Sequence, residues 1–150
     1  ALADDGRLRR PSMIMDALNP PESILDPTIA RQVAAMLETV TGPEGTGKKA
    51  RVENYRVAGK TGTSRKSGSG GYKERRYIAT FAGFAPSSDP KIAGVAIVND
   101  PTNGEYFGGS VAGPLFSSVM AGALRLMDVP PDNYEGMVAA SGKPESGGVQ

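Results

Sequence analysis

Apolar positions along this chain switch between two periods. From Asp26 onward, Ile29, Val33, Met36, Leu37 and Val40 recur at helical spacing. Asp26 is placed to cap that run and Pro27 falls at its first helical position. Gly42-Pro43 ends it, so the pattern predicts an amphipathic helix of about four turns. Upstream, Ala1 to Gly6 reads as the last turn of a helix closed by a glycine. Residues 7–15 (Leu8, Met13, Ile14, Met15) read as a short strand or extended arm, with Asn19-Pro20-Pro21 as a breaker. Downstream the period shortens to two. Arg51 to Val57 is expected to be a strand leading into Val57-Ala58-Gly59-Lys60-Thr61-Gly62-Thr63. Tyr77 to Ala85 and Ile92 to Asn99 follow as strands, with Ser87-Ser88-Asp89-Pro90 turning the chain between them.

Those last two strands are apolar on each face: Ile78 and Phe84 against Tyr77 and Phe81, Ile92 and Val98 against Val95 and Ile97. A sheet with one wet face would not read this way, so helices are expected on both sides. Helical spacing resumes from about Val111 to Asp128, with Pro114 in the first turn. Leu115, Phe116, Val119, Met120, Ala123, Leu124 and Met127 form its broad apolar face, and Pro130-Pro131 stops it. The fold class is therefore α+β, an antiparallel sheet covered by helices on both faces. Residues 1–128 make one unit, and 129–150, small, polar and Gly/Pro-containing, are expected to be a disordered tail. A chain that opens within a helix and without Met is expected to be a piece of a longer one.

Composition narrows the chemistry. At 150 residues with 39% hydrophobic content, 20 Gly and 12 Pro, the chain is one turn-rich domain in size. It has no Cys and no His, which excludes thiol nucleophiles, His- or Cys-built zinc sites and a Ser-His-Asp triad within the chain. No metal or cofactor is expected. An acyl-transfer site here must use Lys or a carboxylate as base. No run of 18 apolar residues is present, and no signal-peptide pattern opens the chain.

A net charge of +1 hides an asymmetry: residues 48–76 carry ten Lys/Arg against Glu53 and Glu74, a local +8. Such a centre attracts an anionic ligand. With Tyr55, Tyr72 and Tyr77 among the charges it also fits a nucleic-acid patch, or plain solvated surface. Gly42 to Lys49 nearly matches the G-x-x-x-x-G-K-[ST] pattern, but Lys49 stands where the magnesium-binding hydroxyl belongs. A helix precedes it and a strand is expected to follow, the reverse of a phosphate-binding loop, so it reads as a loop entering the central strand.

The chemistry concentrates in Lys60-Thr61-Gly62-Thr63. Alternation puts the Thr61 and Thr63 hydroxyls on one face and Lys60 on the other, while Gly62 lets a ligand lie against the backbone. A cation, hydroxyl donors and bare N–H groups suit an anionic acyl substrate and its oxyanion. Equally, three-residue K-T-G matches arise by chance in strands that happen to hold Lys and Thr. Ser64 to Gly71 is polar and glycine-rich and reads as a loop between antiparallel strands.

Five strings in order sharpen this: Val57 to Thr63, Phe81-Ala82-Gly83-Phe84-Ala85-Pro86, Asn99-Asp100-Pro101, Tyr106-Phe107-Gly108-Gly109 and Met120-Ala121-Gly122-Ala123-Leu124-Arg125. Over roughly residues 1–133 the chain resembles the C-terminal part of the transpeptidase domain of class B penicillin-binding proteins, whose superfamily carries K-T-G and S-x-x-K elements. The resemblance is to the septal peptidoglycan D,D-transpeptidases of Gram-negative bacteria. It implies a serine transpeptidase/β-lactamase-like fold and cross-linking of D-Ala-D-Ala stem peptides through a serine acyl-enzyme, with β-lactams as inhibitors. It implies Lys60 as organiser of the proton network and the Thr61 and Thr63 hydroxyls as holders of the substrate carboxylate. Thr63 N–H would form half the oxyanion hole, a kind of donor worth ~2.7–4 kcal/mol of barrier. Arg65 would assist with the carboxylate, Gly62 would lie along the ligand, and Tyr77, Tyr106 and Phe107 would form an aromatic wall with Gly109 near it. For Tyr106-Phe107 a packed loop anchor is an equal reading.

The family's S-x-x-K helix and S-x-N element are not in this sequence. Ser88-Asp89-Pro90-Lys91 matches the first in letters, but Pro90 opposes the helix that would make Ser and Lys face each other. No nucleophile is assigned here, and the chain alone is expected to be inactive. The implied partners are stem peptides, β-lactams, the N-terminal half of the domain and septal cell-division proteins, with no nucleic acid. The implied location is the periplasmic face of the inner membrane, through an anchor outside this sequence. A D,D-carboxypeptidase or β-lactamase on the same scaffold, or a non-catalytic binding module, are the alternatives.

Overall fold

In the computed structural model, residues 1–14, 19–66, 76–102 and 104–133 are described. A 3-10 turn (Leu2–Asp4) leads through Asp5 and Gly6, both left-handed, into strand β1 (Arg7–Leu8), which pairs antiparallel with β2 (Glu22–Ser23). Helix α1 spans Pro27–Thr39. Its N-cap is as the sequence predicts: the Asp26 carboxylate accepts the Thr28 and Ile29 N–H groups at 2.7 and 3.3 Å. The Thr28 bond is the main reason that this carboxyl lies below its ordinary pKa.

The principal sheet runs in chain order, β3 (Ala58–Arg65), β4 (Tyr77–Ala85) and β5 (Ile92–Asn99), all antiparallel. Register sets Thr61 opposite Phe81, Thr63 opposite Ala79 and Phe81 opposite Ala96, so these share a face. Helix α2 (Gly108–Leu126) lies on that face with Ala112, Phe116, Met120 and Leu124, a strict four-residue stripe, in the core. Phe81 and Phe116 meet with ring centroids 4.8 Å apart. The Phe81 ring fills a slot that only glycines leave open. A Cβ on Gly47 would lie 2.7 Å from it and one on Gly59 2.6 Å.

The opposite face is covered at its β3 end by α1, where Ala58 and Phe84 are buried. Leu37 of α1 shares a cleft there with Lys60, Ala82 and Val95. Val95 and Ile97, further across the same face, stay 63% and 61% exposed, so α1 shields only part of the sheet.

Several boundaries differ from the sequence reading. Arg51 to Val57 is not a strand: a 3-10 turn (Lys48–Ala50) precedes a lone Val52–Tyr55 bridge, and Asn54 is left-handed with φ 66°. Val52 and Val57 both dip into the core, and at five residues apart they do so without period-two alternation. Strand β3 continues through Ser64 and Arg65, which the composition placed in the following loop. Most of that loop, residues 67–75, falls outside the described residues. Helix α2 begins at Gly108 rather than Val111, so Pro114 lies inside it and leaves the Ser110 carbonyl without its helical donor.

Residues 129–133, at the start of the segment read as a tail, lie against the body. Tyr55 Oη donates to the Val129 carbonyl at 2.5 Å, and Asp132 accepts from Arg56 N–H at 2.7 Å and the Ser88 hydroxyl at 2.6 Å. Residues 134–150 are outside the described set. Among the described residues no helix is long and apolar enough to cross a membrane.

Candidate active site

Strand β3 is an edge of the sheet, so alternate N–H and C=O groups along it face away from β4. Thr61 and Thr63 share the α2 face, as alternation predicts, and Lys60 starts from the other. Its flexible stem nevertheless brings Nζ round the open edge, 3.0 Å from the Thr61 carbonyl and 3.4 Å from Thr61 Oγ1. Lysine and hydroxyl therefore meet, although a strand pattern alone separates them.

Thr63 meets the start of α2. No side chain of that helix caps its N-terminus; instead Thr63 Oγ1 accepts the Gly108 N–H at 2.9 Å. The hydroxyl proton is left to donate elsewhere. Gly108 and Gly109 belong to the helix, ahead of the start near Val111 that the sequence predicts. They are glycines because of close approach: a Cβ at Gly108 would sit 2.3 Å from both the Gly62 and Thr80 carbonyls. One at Gly109 would sit 1.9 Å from the Thr46 carbonyl.

Thr46 was not singled out by the sequence. Its hydroxyl lies 3.3 Å from Thr61 Oγ1, on the far side of the turn that follows α1. The signal available was a lone hydroxyl between two glycines in Gly45-Thr46-Gly47, obscured by the resemblance of that stretch to a phosphate-binding loop. No such loop forms: the stretch is a turn after a helix, pinned by Gly47 N–H to the Val40 carbonyl at 2.8 Å.

The aromatic candidates come together at the far end of the hairpin, where Arg65 faces Tyr77. Tyr77 stacks on Tyr106 at 4.1 Å, and Tyr106 meets Phe107 at 4.5 Å. Phe107 remains 59% exposed, so this ladder is packed at its base and open at its tip. Lys49 tethers the same loop through Glu105 at 3.7 Å.

Asp100 locks the hairpin end. Its φ is 52°, its N–H bonds the Tyr77 carbonyl at 2.9 Å, and its carboxylate takes Arg76 Nη2 at 2.5 Å and Lys66 Nζ at 2.8 Å. Those bonds, Arg76 first, hold its pKa down at about 2. Its other oxygen is buried and without a partner among the described residues. The sequence showed only a strand terminator here.

Lys49, Lys66 and Arg76 of the basic centre thus pair with carboxylates, as does Arg56 with Glu38 at 2.8 Å. Ser88 and Lys91 lie in a turn and bind elsewhere, Ser88 to Asp132 and Lys91 to Asp89 at 2.5 Å. Among the described residues no cluster of acidic groups could hold a metal.

Comparison with known proteins identifies the family of the chain. The sequence profile of the penicillin binding protein transpeptidase domain matches residues 1–121. The chain belongs to the penicillin-binding protein transpeptidase family. This transpeptidase segment is 42% identical over 149 residues to the probable peptidoglycan D,D-transpeptidase PbpC of Pseudomonas aeruginosa, covering 97% of the chain and 26% of that protein. It is 45% identical over 113 residues to the peptidoglycan D,D-transpeptidase FtsI of Escherichia coli K12, covering 75% of the chain and 19% of the relative. Among solved structures, the transpeptidase domain of Burkholderia pseudomallei penicillin-binding protein 3 superposes with TM-score 0.73 at 42% identity, over 87% of this chain and 40% of that one. The segment thus has the serine transpeptidase fold and spans about a quarter of the length of the first curated relative and about a fifth of the second.

Proposed function

We propose that this segment forms the substrate-holding wall of a peptidoglycan D,D-transpeptidase acting in septal wall synthesis at the periplasmic face of the inner membrane. The observation that carries the reading is the joint placement of Lys60, Thr61 and Thr63 on an open strand edge against the α2 start. The names of the relatives supply the substrate class.

In this mechanism the terminal carboxylate of a D-Ala-D-Ala stem accepts hydrogen bonds from the Thr61 and Thr63 hydroxyls, with Arg65 nearby. The scissile carbonyl oxygen points at Thr63 N–H. A serine from outside these 150 residues adds to the carbonyl carbon; its proton leaves through a lysine network that includes Lys60. The C–N bond breaks, D-Ala departs with that proton, and an amine of a second stem displaces the serine ester. β-Lactams enter the same way and remain as the ester. Tyr77, Tyr106 and Phe107 flank the acyl side chain, with Gly62 and Gly109 keeping the floor clear.

Fluorescent-penicillin labelling of the whole protein, followed by peptide mapping, tests this. The expected adduct is on a serine outside residues 1–150, slowed about 10²-fold or more in Lys60→Ala, and the 150-residue chain alone stays unlabelled. An adduct on Ser88 would overturn the split assignment. No adduct on a correctly folded protein would favour the binding-module alternative.

A further inference from the structure

The Thr61 hydroxyl sits between two groups of different kind. Lys60 Nζ can only donate, so the lone pair that it meets is occupied. The Thr61 proton then points elsewhere, and the Thr46 hydroxyl lies beside it at 3.3 Å, where either oxygen of the pair can donate. The turn that carries Thr46 is closely packed. A Cβ at Gly45 would strike the Val40 carbonyl at 2.0 Å, one at Gly47 would strike Phe81, and the Thr46 carbonyl is seated on Gly109. Thr46 itself is exposed to solvent.

We propose that Thr46 is a positioning residue of the carboxylate subsite. With the subsite empty it accepts the Thr61 proton. When a carboxylate arrives, Thr61 turns its proton to the ligand and Thr46 donates its own to Thr61 Oγ1. The 3.3 Å separation is long for a pair of hydroxyls, so little is lost when the direction reverses. Both lone pairs of Thr61 are then filled by donors, which strengthens its own donation to the anion. The inference rests on the active-site reading above and deepens it by naming a further residue of that site.

The test uses the whole protein with benzylpenicillin and its methyl ester, which lacks the anion. Thr46→Val keeps the shape and removes the hydroxyl; it is expected to slow acylation by benzylpenicillin about three- to tenfold, the worth of one hydrogen bond, and to leave the ester rate unchanged. Thr46→Ser is expected to restore the benzylpenicillin rate. In a Thr61→Val background the Thr46→Val loss is expected to vanish, because Thr46 acts through Thr61. Equal slowing of both probes would assign Thr46 to general scaffolding and overturn the proposal, as would an unchanged benzylpenicillin rate or a loss that persists without Thr61. A wild-type protein that neither probe acylates would instead sink the active-site reading, and this inference with it.

Discussion

Asp100 pairs with two cations at the end of the β3–β4 hairpin. It joins Lys66 and Arg76, which flank the two feet of the β3–β4 connection, to the end of β5. Its folded pKa of about 2 lies below the ordinary 3.8, so the ionised form is favoured by folding. The stabilisation is fully present above about pH 4 and is lost as pH falls through about 2. Urea unfolding of wild type and Asp100→Asn should therefore show a gap in midpoint at pH 6 that closes as pH approaches 2. A gap constant over that range would mean that the carboxylate charge is not what locks the hairpin. Lys60, Thr61 and Thr63 were legible in the sequence because their motif is local. Asp100 and Thr46 were not, since each matters through partners more than a dozen residues away that no periodicity connects.

At the scale of elements, two helix starts are held in opposite ways. Helix α1 supplies its own cap, and Asp26→Ala is expected to lower stability by about 1 kcal/mol in a thermal or urea melt without changing acylation. Helix α2 has no side-chain cap of its own, and Thr63 of β3 accepts its Gly108 N–H. Its start is thus coupled to the site, and Gly109→Ala should show it. A new Cβ 1.9 Å from the Thr46 carbonyl must push the turn or the helix aside, so acylation should fall by more than the melting temperature suggests. Equal acylation in that variant would mean that the approach relaxes harmlessly. The strands β4 and β5 matched the sequence reading residue for residue, because both are apolar runs bounded by turn residues. The start of α2 did not, because two glycines look like loop until the sheet beneath them is known. The expected strand before Ala58 failed because Asn54 turns left-handed while its neighbours still bury apolar side chains.

Among the described residues, α2 covers one sheet face, α1 partly closes the other, and β3 is an open edge. Lysine, hydroxyls and helix start converge at that edge, while the aromatic ladder rises from the end of the same hairpin. Membership of the transpeptidase family fits this layout. The central claim is that the Thr61 and Thr63 hydroxyls together hold the ligand's carboxylate. The most direct measurement is the second-order rate of acylation of the whole protein by benzylpenicillin, wild type against the Thr61→Val, Thr63→Val double variant. Two hydrogen bonds to an anion at ~1.5–3 kcal/mol each predict a loss of at least about 100-fold. A double variant that is folded and acylated within about threefold of wild type, less than one such bond is worth, would contradict the account.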